Sequence, residues 1–380
     1  MVIKTGDSLL TAFGLGTDKS YEPIRKGIAC LTAHEKEWGL PEPFMASLID
    51  NKLLEEECQK LHIGQEYTRF ERMTIVVAHD AITQAGIDPQ APNVRFILGT
   101  TKGNVDQLSL PTVDDDEICL PSTATRIARW FGNKSTPIVI SNACISGLHA
   151  VIEAWRILRG RMADTAVVIA ADTLSPFIVS GFQVFRALSE EPCRPFDEER
   201  LGLNLGEAAA CAIYRRVSSK ETITPSWSIG KGAVFNDAFH ISHPSRTAEG
   251  SYRALKVVAE GFSPEDFAMI NVHGTATLYN DEMEATALER AGLSHVPINS
   301  LKGYLGHTMG AAGLLETLIT ARALEDGIIL GTKGYHAEGV SHHVEISPTN
   351  RKTNRKRFIK LISGFGGCNA AVRFEFTGNA

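Results

Sequence analysis

Three short segments of the chain contain the side chains best suited to chemistry, one thiol and two imidazoles. They lie around Cys144, around His273, and from Lys302 through His307 to Gly313. A thiol can carry an acyl group, and two imidazoles can donate hydrogen bonds to one developing oxyanion. Together these groups indicate carbon–carbon bond formation by decarboxylative condensation.

Cys144 lies between a strand-like run at residues 138–141 and a helical pattern that begins near Gly147. A thiol at such a turn is close to free backbone N–H groups and to the positive end of a helix dipole. We therefore expect its pKa to be lowered, into the range of roughly 3.5–7.5. An inert core cysteine is the alternative, but the small neighbours Ala143 and Ser146 leave room for a substrate.

Both histidines lie where the backbone leaves a regular element. His273 ends a strand-like run, and the hydroxyls of Thr275 and Thr277 behind it could bind an extended ligand that contains amides. His307 lies in a glycine-rich segment, 303–313, which permits close backbone approach. No carboxylate or thiol stands at ligand spacing beside either histidine, so we predict no metal site.

A fourth segment, Ser-Gly-Phe-Gly-Gly-Cys-Asn at residues 363–369, follows a predicted strand. It matches neither the dinucleotide-binding glycine pattern nor the phosphate-binding loop with its lysine, which argues against a nucleotide. A backbone N–H in this loop would suit an oxyanion hole, and Phe365 could open or close a pocket.

The elements that must position these segments alternate between apolar, strand-like runs and amphipathic, helix-like stretches. The predicted strands are residues 94–99, 137–141, 166–171, 208–214, 269–273 and 358–363. The predicted helices are residues 69–85, 147–159, 251–261, 281–291 and 313–326. This alternation predicts an α/β fold.

Length and composition limit the class of protein. With 380 residues the chain exceeds the usual size of one core, so two domains or two similar halves are expected. No apolar run approaches the roughly 20 residues that span a bilayer, and residues 1–16 lack the features of a secretory signal. We therefore expect a cytoplasmic enzyme with no membrane contact.

Charge and cysteine usage exclude further classes. The net charge of −6 argues against a nucleic-acid partner, and the basic run at 351–357 is interpreted as a solvated connection. The seven cysteines are scattered, odd in number and contain no Cys-x-x-Cys pair. Reduced thiols are therefore expected, with neither a disulfide framework nor a zinc site.

The segments, their order and their spacing resemble the β-ketoacyl-acyl carrier protein synthases of the elongating type, over nearly the whole chain. Further agreement lies in Gly-Phe and Arg-Ala-Leu-Ser within 181–189, Arg-Pro-Phe-Asp at 194–197, Gly-Glu at 206–207 and Asn-Asp-Ala-Phe-His at 236–240. The resemblance implies an α/β, thiolase-like fold of two related halves in layered α-β-α-β-α architecture. We expect the halves to be residues 1–222 and 223–380.

The resemblance also implies a role for each chemical group. Cys144 would take an acyl group from an acyl carrier protein thioester, with the backbone N–H groups of Cys144 and Phe365 holding the oxyanion. Hydrogen bonds from His273 and His307 would stabilise the enolate formed when malonyl carrier protein loses carbon dioxide. Attack of that enolate on the acyl-cysteine would give a 3-oxoacyl product.

Further site residues and partners follow from the same resemblance. Lys302 and Glu316 match a charged pair that orients and polarises the histidines. The expected substrate-binding residues are Thr275, Thr277, Phe182 and Gly366, and the expected docking residues for an acidic carrier protein are Arg69, Arg72, Arg126 and Arg186. No cofactor is implied beyond the phosphopantetheine that carries the substrates. A homodimer is expected, with a heterodimer of related subunits as the alternative.

Two departures from the family pattern leave the substrate open. Region 103–121 looks shorter than usual and contains the acidic run 114–117, whereas in the family it helps to shape the dimer contact and acyl pocket. Cys368 stands where the family more often has Thr. A late cysteine in a glycine-rich loop is instead typical of thiolases, in which a second thiol acts as a base. Thiolases lack the segment that contains His307, which argues against them. Initiating synthases and plant-type polyketide synthases use a cysteine, a histidine and an asparagine, so His307 argues against these two classes as well.

Several functions stay open at this point. Fatty acid, polyketide and aryl-polyene pathways use the same condensation chemistry, and the sequence does not separate them. A partner subunit that only shapes chain length usually lacks the nucleophile, so the presence of Cys144 argues against that function. A thiolase-like acyltransferase is another alternative. A carrier-protein docking module without turnover would need the two histidines to be dispensable.

Overall fold

The computed structural model describes residues 1–109, 115–218 and 221–378. The strands are β1 (Val2–Thr11), β2 (Gly14–Leu15), β3 (Thr32–His34), β4 (Phe44–Ser47), β5 (Val94–Gly99), β6 (Ile138–Ile140), β7 (Thr165–Asp172), β8 (Leu205–Gly206), β9 (Ala208–Arg216), β10 (Trp227–Asn236), β11 (Met269–Asn271), β12 (Ile298–Asn299), β13 (Ile328–Ile329), β14 (Arg351–Lys352), β15 (Arg357–Gly364) and β16 (Cys368–Phe376).

The α-helices are α1 (Thr17–Arg25), α2 (Asn51–Lys60), α3 (Arg69–Ala85), α4 (Asp115–Ile118), α5 (Leu120–Trp130), α6 (Ser146–Arg159), α7 (Pro176–Val184), α8 (Glu249–Ala259), α9 (Leu278–Ala291), α10 (Lys302–Leu305) and α11 (Ala312–Glu325). Short 3-10 turns occupy Glu37–Gly39, Val105–Ser109, Pro264–Asp266 and Met309–Ala311. Residues 110–114 lie outside the described residues. They include part of the shortened region 103–121 and the start of its acidic run 114–117, so the role expected for that region stays a prediction.

Both halves of the chain arrange their main strands in the same way. From the centre of the large sheet outwards, the first half has the order β1, β9, β7, β5, β6, and the second half has β10, β16, β15, β11, β12. In each half this is the first main strand of the chain, then the fifth, fourth, second and third. The halves meet where β1 pairs antiparallel with β10. The shared order confirms two related halves.

Helices form three layers around these two sets of strands. On the outside, α3 packs on β1, β9 and β7, and α8 packs on β10, β16 and β15. Between the two sets, α6 and α11 pack against each other and contact strands of both halves. The structure therefore has the layered α-β-α-β-α architecture that the resemblance implies.

The central layer explains the continuous apolar runs in the sequence. All eight residues of β7 are buried, because helices cover both of its faces. The central layer has its own core, which includes Leu148 of α6, Leu314 of α11 and Ala210 of β9. Among the described residues, no helix is both long and apolar enough to cross a membrane.

The central helices approach closely at their N-terminal ends. A Cβ atom added to Gly147 would lie 2.5 Å from the carbonyl oxygen of Gly310, and one added to Gly313 would lie 2.8 Å from the backbone nitrogen of Leu148. Only glycine allows this contact. It brings the segment before α6, which contains Cys144, next to the segment before α11.

Candidate active site

Cys144 lies in the tight turn between β6 and α6. Ala143 has a φ of 45°, in the left-handed region that residues other than glycine rarely adopt. Ser146 holds the turn, because its Oγ donates to the carbonyl oxygen of Ala143 at 2.6 Å and accepts from the backbone N–H of Asn142 at 2.9 Å. Backbone strain of this kind concentrates at functional sites.

Folding brings Cys144, His273 and His307 into one cluster. Nε2 of His307 lies 3.0 Å from Sγ of Cys144. The two imidazole rings have centroids 4.9 Å apart and planes at 80°. A thiol or ring nitrogen of each residue lies within 4.8 Å of the others. The three segments predicted from the sequence to act together are therefore adjacent in space.

The spacing of these three side chains would also suit a metal ion. The sequence did not indicate this, because the three residues are far apart along the chain. The charge behind the cluster opposes that interpretation. Lys302 and Lys360 lie close enough for their positive charge to lower the pKa of both imidazoles. The same positive charge would repel a divalent cation, so a nucleophile with two hydrogen-bond donors describes the cluster better.

The backbone of His307 is held by the segment around β8. Its N–H donates to the carbonyl oxygen of Asn204 at 2.7 Å, and its own carbonyl oxygen accepts from the N–H of Gly206 at 3.0 Å. Gly306 precedes it with a φ of 71°, and a Cβ there would clash with the carbonyl oxygen of Leu205. Glycine at 306 is therefore required for His307 to reach the thiol.

Two buried carboxylates of α9 hold the loop that contains His273. Glu284 accepts from the N–H groups of His273 and Gly274, both at 2.6 Å. Asp281 accepts from the N–H of Thr275 at 3.0 Å. Neither acid was predicted from the sequence. Their only signal was a helical pattern with acidic residues on its buried face, which a single sequence does not separate from a solvated face.

One buried carboxylate lies behind the histidines and binds two ammonium groups. Nζ of Lys302 lies 2.6 Å from Oε1 of Glu316, and Nζ of Lys360 lies 2.5 Å from Oε2 of the same side chain. None of the three side chains is more than 3% exposed. The first pair was predicted from the sequence, but Lys360 was not, because its only signal was a charge inside the apolar run 358–363.

Burial determines the protonation of the thiol and the two imidazoles when no substrate is bound. It raises the pKa of the Cys144 thiol to about 11, although Lys302, Lys102 and the backbone N–H of Phe365 act in the opposite direction. The expected lowering is therefore wrong, because the thiol is buried more deeply than the helix terminus alone suggests. Burial, followed by the charge of Lys302, holds the pKa of both imidazoles well below its usual value. A neutral thiol thus faces neutral imidazoles.

A cavity of about 310 Å³ leads from this cluster to the surface. Of the predicted substrate-binding residues, Thr275, Thr277 and Phe182 line it. The hydroxyls of the two threonines lie 2.9 Å apart. Gly366 is exposed, does not belong to the lining, and donates its N–H to the carbonyl oxygen of Ile241.

Phe365 belongs to an aromatic cluster in the cavity. Its ring stacks on Phe182 with centroids 5.9 Å apart and meets Phe185 edge-on at 5.5 Å. Its backbone N–H interacts with the Cys144 sulfur, as an oxyanion-hole donor would. The residue is 38% exposed, so it combines a backbone donor beside the nucleophile with a side chain at the entrance of the cavity.

Cys368 is a second thiol near the first. Its Sγ lies 3.3 Å from the carbonyl oxygen of Phe365, and burial together with the Cys144 sulfur raises its pKa to about 12. A thiol with so high a pKa is protonated at neutral pH. This protonation argues against the thiolase-like base that the sequence left as an alternative.

The four predicted docking arginines lie in different surroundings. Arg186 lines the cavity. The remaining three do not line it, and each forms an ion pair within the chain: Arg69 with Glu207 at 2.6 Å, Arg126 with Glu71 at 2.9 Å, and Arg72 with Glu55.

Comparisons with known proteins show which family the sequence matches. The model of the β-ketoacyl synthase N-terminal domain matches residues 5–219, and that of the C-terminal domain matches residues 228–336. Nodulation protein E of Rhizobium meliloti is 29% identical over 331 residues, which cover 81% of this chain and 82% of that protein. The 3-oxoacyl-(acyl-carrier-protein) synthase 2 of Rhizobium meliloti (strain 1021) is 32% identical over 255 residues, which cover 61% of this chain and 59% of that protein.

A solved structure of similar fold is a ketosynthase in complex with its chain length factor from Xenorhabdus doucetiae. Its TM-score is 0.85 at 22% identity, with 98% of this chain and 97% of that chain covered. The fold of this chain is therefore that of a ketosynthase. Because the two domain models together match most of its sequence, the chain belongs to the β-ketoacyl synthase family, which is a family of acyltransferases.

Proposed function

We propose that this protein condenses an acyl chain held on Cys144 with malonyl-acyl carrier protein, giving 3-oxoacyl-acyl carrier protein in fatty acid or polyketide and polyene biosynthesis. The observation that carries the proposal is the buried cluster in which His307 contacts the Cys144 thiol and His273 packs edge-on against His307. A nucleophile and two neutral N–H donors facing one cavity fit acyl transfer followed by enolate formation.

In the first half-reaction the thiol of Cys144 attacks the thioester carbonyl of an acyl carrier protein. Its proton leaves to water, while the N–H at Nε2 of His307, which lies 3.0 Å from the sulfur, donates a hydrogen bond to the developing thiolate. The negative charge on the carbonyl oxygen develops near the backbone N–H groups of Cys144 and Phe365. The carbon–sulfur bond to phosphopantetheine then breaks, and the departing thiolate takes a proton from water, leaving acyl-Cys144 and a neutral His307.

In the second half-reaction malonyl carrier protein enters the same cavity. The bond between its carboxylate and α-carbon breaks, carbon dioxide leaves, and the electron pair remains as an enolate whose oxygen accepts hydrogen bonds from His273 and His307. The enolate carbon attacks the acyl carbonyl, and the thiolate of Cys144 leaves and is protonated from water. The neutral imidazoles support this step, because each has one N–H group that can donate a hydrogen bond to the enolate oxygen and keep its proton.

The substrates imply the partners. Both would arrive on an acyl carrier protein, and the phosphopantetheine arm would pass Thr275 and Thr277, which line the cavity. We propose no cofactor beyond that arm, because the chain supplies the nucleophile and the donors itself. We also propose a reducing, cytoplasmic location, since acylation needs the free thiol of Cys144.

We further propose a homodimer formed through the edge of the sheet at β6. This strand is the last in the order of the first half, and its three residues, all apolar, are only half-buried. Exposed apolar edge strands are avoided in isolated chains. Native mass spectrometry of the wild type and of Val139→Lys would test the dimer. A wild type that stays monomeric alone and associates only with a related subunit would indicate a heterodimer instead.

Mass spectrometry of the intact protein tests the function directly. Incubation with acyl carrier protein thioesters should add one acyl group to the peptide that contains Cys144. Addition of malonyl carrier protein should then release carbon dioxide and remove that acyl group as a 3-oxoacyl product on the carrier. Acylation without any condensation would contradict the proposal and favour a simple acyltransferase.

A further inference from the structure

Lys360 links the two segments that contain the catalytic histidines. It lies in β15, which runs parallel to β11 with Lys360 beside Asn271. Its Nζ donates to the carbonyl oxygen of Val272 at 3.2 Å and to Glu316 of α11 at 2.5 Å. Val272 directly precedes His273, and α11 follows the segment of His307. One ammonium group therefore connects the supports of both imidazoles.

Neutralising Glu316 does not explain why Lys360 is buried. Lys302 already pairs with Oε1 of Glu316, and the nearby carboxyl of Glu284 is already held by the backbone N–H groups of His273 and Gly274, so neither acid requires a second ammonium. Removing a charge from water is costly, and a well-packed apolar residue would often stabilise the fold as well. The position of Lys360 is thus better explained by what it does to its neighbours than by the free energy of unfolding.

The charged and titratable groups around His273 come from every element packed against it. They are Cys144, His307, Lys302 of α10, Asp281 and Glu284 of α9, Glu316 of α11 and Lys360 of β15. Burial lowers the pKa of His273, and Lys302, His307 and Lys360 lower it further. Lys360 thus favours the neutral imidazole, and it adds positive charge near the place where an enolate would form.

We propose that Lys360 is a positioning residue for the decarboxylation half-reaction, holding Val272 and Glu316 so that His273 and His307 converge on one oxyanion. This inference rests on the proposed function, because it assigns Lys360 to one of its two steps. Acylation of Cys144 should depend on Lys360 much less, since His307 and the Cys144 turn have their own backbone hydrogen bonds.

Lys360→Met is the first test, because methionine fills most of the space and leaves the Lys302–Glu316 pair intact. Decarboxylation of malonyl carrier protein should slow by roughly 10–100-fold, the usual effect of losing a residue that orients a catalytic group. Uptake of acyl label on Cys144 should stay within about twofold of wild type, because the hydrogen bonds that hold His307 and the Cys144 turn do not involve Lys360. Ile359→Ala removes an equally buried neighbour on the same strand and serves as the control for loss of packing.

A second test separates the charge from the packing. Lys360→Ala leaves a space beside Glu316 that methylammonium could occupy, whereas tetramethylammonium at the same ionic strength is too large. Methylammonium should restore part of the decarboxylation rate in Lys360→Ala and have no effect on Ile359→Ala or on acylation by either variant.

The outcomes distinguish this inference from the proposed function. If the wild type itself fails to decarboxylate malonyl carrier protein, the proposed function is wrong and the inference falls with it. If the wild type is active but Lys360→Met loses both half-reactions equally, or loses neither, Lys360 has no positioning role. Failure of methylammonium to restore any activity to a folded Lys360→Ala protein would also overturn the inference.

Discussion

The two halves share one strand order but contribute different chemistry at equivalent positions. In the first half β6 is followed by the tight turn 141–145 and then by α6. In the second half β12 is followed by the longer segment 300–311 and then by α11. The tight turn contains the nucleophile, whereas the longer segment contains Lys302 and His307. Because α6 and α11 touch at their N-terminal ends, these two different connections meet at one cavity.

The second strand of each half shows the same contrast. After β5, the hydroxyl of Thr100 and the N–H of Thr101 donate to the buried carboxylate of Asp172, which also accepts from Gly310 of the other half. After β11 comes His273, with its backbone held by Glu284. The first half thus supplies the nucleophile and fastens the segment beside His307, while the second half supplies the imidazoles. A duplicated scaffold can divide a two-step reaction in this way.

Loss of the nucleophile should have the largest effect. Cys144→Ala should take up no acyl label and should lose condensation by at least about 10³-fold, since the covalent intermediate cannot form. Intact-protein mass spectrometry and a condensation assay would measure both effects. Cys368→Ala is the matched control, because it removes the second thiol near the cavity and should still acylate. Acyl label on Cys368 would place the nucleophile in the second half and contradict the assignment of Cys144.

Loss of either imidazole should affect the second step more than the first. His273→Ala should slow decarboxylation by about 10²–10³-fold, the usual effect of removing one oxyanion donor. It should still acylate Cys144, because His307 is the imidazole in contact with the sulfur. His307→Ala should slow both steps. Separate assays of acyl uptake and carbon dioxide release would show this, and equal losses for His273→Ala would contradict the division between the halves.

Lys302 tests whether the charged group orients the histidines or only stabilises the fold. Lys302→Met leaves Glu316 paired with Lys360, so the protein should fold. Decarboxylation should fall by roughly 10–100-fold while acylation persists. Thermal unfolding measured beside the two half-reactions separates the explanations. A variant with lower thermal stability but near-normal condensation would show that the pair is scaffolding.

The sequence predicted the regular elements with the strongest local signals. Helix α3 has the predicted bounds because Thr68 and Glu71 form a capping box and Gly86 ends it in a left-handed conformation. Strand β5 also has its predicted bounds, since the apolar run 96–98 fits a strand covered on both sides, although Arg95 interrupts the apolar pattern near its start. Strands β1 and β10, which join the halves, were not predicted. Lys4 and Asp7 interrupt the first of them, and two glycines interrupt the second.

The candidate site was predictable in its reactive residues but not in their supports. Cys144, His273 and His307 stand beside small residues and glycines, which are visible in the sequence. Lys360 and Glu284 act through contacts with residues far away in the chain, and nothing local distinguishes them from other charges. The pKa of Cys144 was predicted in the wrong direction because a helix N-terminus is a local feature, whereas burial depends on the whole fold.

The raised pKa of Cys144, the nucleophile of the first half, can be tested directly by alkylation of the thiol. With a pKa of about 11 the thiol is protonated at neutral pH, and its thiolate fraction rises about tenfold per pH unit below that value. The rate of alkylation by iodoacetamide should therefore rise about tenfold between pH 8 and pH 9. Peptide mapping over time would measure it. A rate that stays level over this range would show that the turn or His307 already stabilises the thiolate.

The smallest effect should come from the carrier-protein surface, for which all four predicted docking arginines lie in the first half. Arg186 lines the cavity, whereas the remaining three predicted docking arginines form ion pairs within the chain. Arg186→Glu should raise the KM for an acidic carrier protein by roughly two- to fivefold, because an exposed ion pair is worth at most about 1 kcal/mol. The kcat should stay near the wild-type value, and the salt dependence should flatten.

Lys352→Glu makes the same charge change at an exposed position of β14 outside the cavity lining, and it is the control for net charge. Steady-state kinetics at low and physiological salt would compare the two variants. A KM that rises only for Arg186→Glu would locate docking at the cavity entrance. Equal increases would mean that the net charge of the protein governs the encounter, since long-range attraction does not depend on which surface residue is reversed.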